Sequence, residues 1–226
     1  MRNARTNQLN FFDMIGEKID KNLLNTHAAR TLVDHINLQK TSHKFVVAIA
    51  GESGSGKTHM ASAIQKAFSE CDISASIIHM DDFFILPPAS NHAQRLKDIA
   101  HVGPQEVDIN RMNTLIADFK NNGHKIWVPR VSYYENSIAE IEIDLSEQQV
   151  LIVEGTYAFL LQDTDFHLFM SRNFEQTKEL RLARNRGTEA QDDFIEQVLV
   201  LEHQIISKSA AKANALIDYN FNLQLK

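Results

Sequence analysis

The sequence predicts an α/β fold: a three-layer sandwich with a mostly parallel sheet between two layers of helices. Three observations predict it. Short apolar runs that read as buried strands alternate with amphipathic helical segments, the pattern of parallel strands joined by crossovers. The first run, Phe45-Val46-Val47-Ala48-Ile49-Ala50, leads directly into Gly51-Glu52-Ser53-Gly54-Ser55-Gly56-Lys57-Thr58, which satisfies G-x-x-x-x-G-K-[ST]. Helical periodicity resumes at once, with Met60, Ala61, Ala63, Ile64, Ala67 and Phe68 on one face. Strand, glycine-rich loop and helix N-terminus in that order form a phosphate cradle. The glycines let backbone N–H groups turn inward, and the helix end adds partial positive charge.

Before the loop, residues 9–24 place Phe11, Phe12, Ile15, Ile19, Leu23 and Leu24 at near-helical spacing, with Asn10 as N-cap. Residues 26–38 give a second helix with Ala29, Leu32, Val33 and Ile36 inward. After the loop, residues 73–80 read as a strand ending in Asp81-Asp82-Phe83-Phe84, and Pro87-Pro88 forces a loop. Residues 91–102 read as a polar helix or excursion that ends at Gly103-Pro104. Asp108 or Asn110 caps a helix running to about Lys120 and closing at Asn121-Asn122-Gly123.

Residues 125–128 form a strand stopped by Pro129, and the alternation within 130–144 suggests a hairpin or edge ribbon. Two more strands follow at 150–153, closed by Glu154-Gly155, and at 166–170. A basic helix at 173–186 broken by Gly187, a long helix at 189–213 and a last strand at 215–221 complete the chain. Residues 1–43 are expected as a helical extension packed on the core, and 44–226 as the catalytic domain, with a lid near 172–188.

Composition narrows the function. A chain of 226 residues with 43% hydrophobic and 23% charged residues suits one large α/β domain. Its net charge of −6 argues against a nucleic-acid partner held by bulk attraction. No apolar run approaches membrane-spanning length and none follows the N-terminus as a signal peptide would. The single cysteine, Cys71, excludes an internal disulfide. The expectation is a cytoplasmic protein whose partner is a small-molecule acceptor, without nucleic acid or membrane and with self-association left open. Scattered histidines such as His59, His79 and His101 lack metal-ligand spacing and are assigned no metal.

Strand ends at one sheet edge bring the phosphate loop, Asp81-Asp82 and Glu154 together. Lys57 reaches the β- and γ-phosphates of ATP, while Thr58 and Glu154 serve Mg²⁺. Asp81, also a candidate near the metal, accepts the proton of an attacking hydroxyl. Arg181 and Arg184 lie one helical turn apart on the most basic segment and can clamp the triphosphate. Acceptor contacts fall to Asp82, Phe83, Arg95, Arg130, Tyr133 and Tyr134.

This arrangement resembles the uridine kinase and phosphoribulokinase group of P-loop kinases, which includes nicotinamide riboside kinases and bacterial pantothenate kinases. The resemblance rests on residues 51–58, on His79-Met80-Asp81-Asp82-Phe83-Phe84, on Gly103-Pro104 with Asp108, on residues 150–155, and on Arg181-Leu182-Ala183-Arg184-Asn185. It implies a P-loop NTPase core with a helical lid, Asp81 as base, Glu154 near Mg²⁺, and lid arginines at Arg181 and Arg184. Val102 stands where uridine kinases carry a ribose-holding aspartate. Pro129 is followed by Arg130-Val131-Ser132 rather than the family's Pro-x-Tyr-Asp, and Asn185 replaces a lid aspartate. The catalytic half of the pattern is kept and the acceptor half is not. A nucleotide-dependent switch or assembly factor, or a degenerate kinase kept as a binding protein, stands as the alternative. The guanine-reading Asn-Lys-x-Asp element of GTPase switches is absent.

Overall fold

The central strand β1 (Phe45–Gly51) is buried at every position, because apolar side chains alternate to two cores rather than to core and water. In the computed structural model, which describes residues 26–39, 44–183 and 193–226, Val46, Ala48 and Ala50 enter one core. Phe45, Val47 and Ile49 enter the other. The remaining strands are β2 (Ala75–His79), β3 (Lys125–Ser132), β4 (Ser137–Asp144), β5 (Val150–Glu154), β6 (Phe166–Met170), β7 (Ala215–Ile217) and β8 (Leu223–Leu225). The main sheet has the order β2-β5-β1-β6-β7-β8, parallel throughout except for β8, which pairs antiparallel with β7.

Helices α1 (Thr26–Gln39) and α2 (Lys57–Ser69) cover one face. Ala29, Leu32, Val33 and Ile36 of α1 and Met60, Ile64 and Phe68 of α2 fill that core. Helix α3 (Pro88–Lys97) precedes α4 (Ile109–Lys120), whose Met112, Leu115, Ile116 and Phe119 fill the opposite core. Asp108 caps α4 by accepting the N–H of Arg111 at 2.9 Å, satisfying a donor that the first helical turn leaves free. Helices α5 (Lys178–Ala183) and α6 (Asp193–Ile206) follow β6. The fold is the expected sandwich with a mostly parallel sheet. No described helix is long and apolar enough to cross a membrane.

Several boundaries differ from the sequence expectation. β3 does not stop at Pro129 but runs through it to Ser132, pairing with β4 as a separate two-stranded ribbon in which Pro129 faces Glu140. Both strands of such a ribbon are edges, so a residue without an N–H is tolerated there. The last strand ends at Ile217 rather than 221. Asp218 accepts the N–H groups of Asn220 and Asn222, each at 2.8 Å, and turns the chain back into β8, with Phe221 at φ +62°. The expected helix at 189–213 is α6 followed by a tighter turn over Ser207–Lys212. The helix expected at 9–24 and the positions Arg184, Arg186 and Gly187 lie outside the described residues.

Candidate active site

The phosphate loop leaves β1 and ends on the first turn of α2. Gly54 sits at φ +79°, and a Cβ there would lie 2.9 Å from Cγ of Arg181 and 3.1 Å from Cβ of Thr177. Thr177 and the first turn of α5, where the lid is expected, therefore rest on the crown of the loop, and only glycine fits beneath them. Thr177 is buried and donates its hydroxyl to the Ser53 carbonyl at 3.1 Å. Lys57 Nζ donates to the Glu52 carbonyl at 3.0 Å, which holds the ammonium over the loop. Two polar atoms beside this cradle, Ser55 Oγ and Arg181 Nε, are buried without a hydrogen-bond partner among the described residues. Stranded donors are costly unless something accepts from them, so the cradle fits an oxygen-rich anion such as a nucleoside triphosphate.

The Glu52 carboxylate points elsewhere. It accepts the N–H of Phe174 at 2.6 Å and meets His203 Nδ1 of α6 at 2.6 Å. Glu52 thus serves the cradle through its backbone, while its side chain ties the loop, the segment before α5 and α6 together.

Glu154 closes β5 beside the loop, buried, with Thr58 Oγ1 donating to its Oε1 at 3.0 Å. His79 Nδ1 lies 2.6 Å from the same oxygen, and the two residues are register partners at the ends of β2 and β5. Burial pushes the Glu154 carboxyl up, but the hydrogen bond and charge of His79, with Lys57 and Thr58, outweigh it and hold the acid below the usual carboxylate range. The following Gly155 is required by space: a Cβ there would lie 2.2 Å from Cβ of Met80. A hydroxyl and an ionised carboxylate at the loop fit Mg²⁺, which keeps several waters and needs few protein ligands. No group of three or more His, Cys, Asp or Glu that could hold a metal occurs among the described residues.

Beyond β2 the chain makes a tight turn over Met80–Phe83 that sends neighbouring acids to different duties. Asp81 is exposed and lines a cavity of about 180 Å³ together with Ser53 of the loop, Thr156, Arg95, Tyr133 and Glu202. Asp82 is buried, accepts the Val131 N–H at 2.9 Å and pairs with Arg130 Nε at 3.5 Å. Burial pushes the Asp82 carboxyl up. Arg95 reaches the cavity from α3, held by both oxygens of Glu106, with Nη2 at 2.9 Å from Oε2. It also lies 3.4 Å from Glu202 Oε1. Glu106 is 0% exposed and further accepts from Asn91 Nδ2 at 2.8 Å and the Gly103 N–H at 2.9 Å.

Of the acceptor contacts expected from sequence, Arg95 and Tyr133 line the cavity. The others do not. Asp82 and Arg130 fasten β3 to the turn, Phe83 is core, and Tyr134 is 98% exposed. Arg172 lies between β6 and α5. It is buried with its guanidinium 4.0 Å from the Phe221 ring centroid and donates to the Tyr219 carbonyl. Thr177, Glu106 and Glu202 are not among the expected site residues, and His79 is expected only as a histidine without a metal. Two left a signal: His79 and Glu154 each end a predicted strand, and Glu202 directly follows the apolar run Val198-Leu199-Val200-Leu201.

The model of the Phosphoribulokinase / Uridine kinase family matches residues 46–199. Among curated relatives, a bifunctional alpha-galactosidase/sucrose kinase of Mediterraneibacter gnavus is 27% identical over 187 residues, covering 77% of this chain but 20% of that protein. A uridine kinase of Ureaplasma parvum serovar 3 is 26% identical over 190 residues, 80% of this chain and 90% of the relative. A solved structure described as a possible uridine kinase from Bacillus stearothermophilus superposes with a TM-score of 0.61 at 21% identity, covering 84% of this chain and 97% of its own. That likeness concerns the fold.

Proposed function

Because this chain belongs to the phosphoribulokinase/uridine kinase family, whose members are P-loop kinases that phosphorylate small metabolites, we propose that it is an ATP-dependent kinase transferring the γ-phosphate to an alcohol. The acceptor would be a nucleoside, a nucleoside-like compound, or a sugar or acid alcohol. One observation carries this reading: an exposed carboxylate, Asp81, and a phosphate-loop residue, Ser53, line the same cavity.

The loop amides and Lys57 hold the triphosphate, and Thr58 with Glu154 would hold Mg²⁺. Mg²⁺, when bound, neutralises phosphate charge. His79 fixes the Glu154 carboxylate and keeps it ionised. Asp81 accepts the proton that the acceptor hydroxyl releases as it attacks phosphorus. Arg181, poised above Gly54, offers its unpartnered Nε to the charge on the transferring group, and the lid that carries it excludes water.

The test is an ADP-release screen of the full chain with uridine, cytidine, nicotinamide riboside, pantothenate, glycerate and several sugars, alongside Lys57→Ala. The reading expects acceptor-stimulated ADP release that disappears in the variant. Hydrolysis indifferent to every acceptor would instead favour a nucleotide-dependent switch.

A further inference from the structure

We infer that the acceptor is an uncharged, hydroxyl-rich compound, and that Glu202 is the residue that selects against anionic acceptors. The inference rests on the kinase reading and concerns the wall of the cavity facing Asp81.

An anionic acceptor needs a cation free to meet it. Among the described residues, Arg95 is the arginine that lines the cavity, and its charge is already committed. Nε and Nη2 are held by Glu106, and Nη2 also lies 3.4 Å from Glu202. It cannot swing toward a ligand without leaving Glu106 buried and unpaired, because the other donors on that carboxylate, Asn91 and Gly103, are neutral. Arg130, the other basic candidate near the site, is paired with Asp82 and lies along a different hollow.

Besides Arg95, the polar groups lining the cavity are two carboxylates, Asp81 and Glu202, the hydroxyls of Ser53, Thr156 and Tyr133, the Asn91 amide, and the His92 imidazole, which packs edge-on against Phe194. Carboxylates accept hydrogen bonds, so they suit ligand hydroxyls and oppose a ligand carboxylate or phosphate. Apolar contacts from Phe84, Leu86, Val131, Val198 and Leu199 supply a face for the carbon skeleton. Burial pushes the Glu202 carboxyl up to about 7, so it can donate as well as accept near neutral pH. Sugars, polyols and nucleosides share this chemistry. Discrimination comes from the repulsive element as much as from the attractive one.

The experiment is calorimetric titration of the full chain with Mg²⁺ and a non-hydrolysable ATP analogue. The neutral compounds are D-fructose, sucrose, ribitol and uridine; the anionic ones are D-glycerate, D-gluconate, pantothenate and D-ribulose 5-phosphate. ADP release is measured for every binder with ATP. The best neutral ligand is expected to bind at least about tenfold more tightly than the best anion. Glu202→Gln is expected to narrow that gap to about threefold by strengthening anion binding. Tighter binding by an anion, or no binding by any compound, overturns the inference, and an unchanged gap in the variant removes the role of Glu202. Should the variant fail to fold, the wild-type panel decides. A neutral ligand that binds without raising ADP release keeps the acceptor class and removes the kinase reading. An anion that binds best and is phosphorylated does the reverse.

Discussion

The two halves of the candidate active site are built by different means. The phosphate side is backbone: eight consecutive residues running from the end of β1 into the first turn of α2, held by glycine geometry and a helix end. The acceptor side is side chains: Asp81 from one turn, Arg95 from α3, Tyr133 from the ribbon and Glu202 from α6. A cradle for a constant chemical group can be local, whereas a pocket for a particular metabolite is gathered from distant segments and held by buried pairs. The contrast predicts that the two halves fail separately when they are perturbed.

The largest separation is expected at Asp81. Asp81→Asn should lower kcat by about 10²- to 10⁴-fold while leaving ATP affinity within about twofold, measured by steady-state ADP release and by titration with an ATP analogue. Comparable losses in both quantities would merge the two halves into one. Next comes the buried pair. Arg95→Ala strands Glu106 in the core and should destabilise the chain by about 3–5 kcal/mol in a urea melt. A stabilised variant would show that the cavity wall does not depend on that pair.

A smaller effect is expected from protonation. The Glu202 carboxyl is pushed from an ordinary 4.5 up to about 7 by burial, so between these values the native chain keeps a proton that the unfolded chain has released. The stability from this group is fully present below about pH 4.5 and lost as pH rises through 7, by about 3 kcal/mol in all. The difference in unfolding free energy between wild type and Glu202→Gln should follow that slope, and a difference independent of pH would place Glu202 in water. Smallest of all, Tyr134→Ser at the exposed ribbon tip should change stability and acceptor turnover by less than about 0.5 kcal/mol.

The same contrast decides what could be read in the sequence. Strand, loop and helix around residues 45–69 are contiguous, so pattern and spacing carried them, as they carried α1, α4 and the two apolar strands β5 and β6. The ribbon was legible as alternation in 130–144. Its continuity with the strand read at 125–128 was hidden by a proline that a two-stranded edge accommodates. The side-chain pairings were not legible, because they join residues far apart: Arg95 and Glu202 are separated by 107 positions, Glu52 and His203 by 151. Nothing local marks Glu52 as a scaffold acid rather than a loop filler. Nor does the wording Asp81-Asp82 say which carboxylate faces the cavity, since a tight turn separates the directions of adjacent side chains.

That turn has a consequence for how such an enzyme can diversify. Asp82 pins the ribbon through the Val131 N–H, and Asp81, one residue away, faces the cavity that Val131 and Tyr133 line. The ribbon wall is thus docked to the cavity's corner by one kind of bond, backbone to carboxylate, which is indifferent to the side chains the ribbon displays. Mutational drift along β3 and its tip can recast the shape offered to a metabolite while the fastening beside the proposed base stays in place.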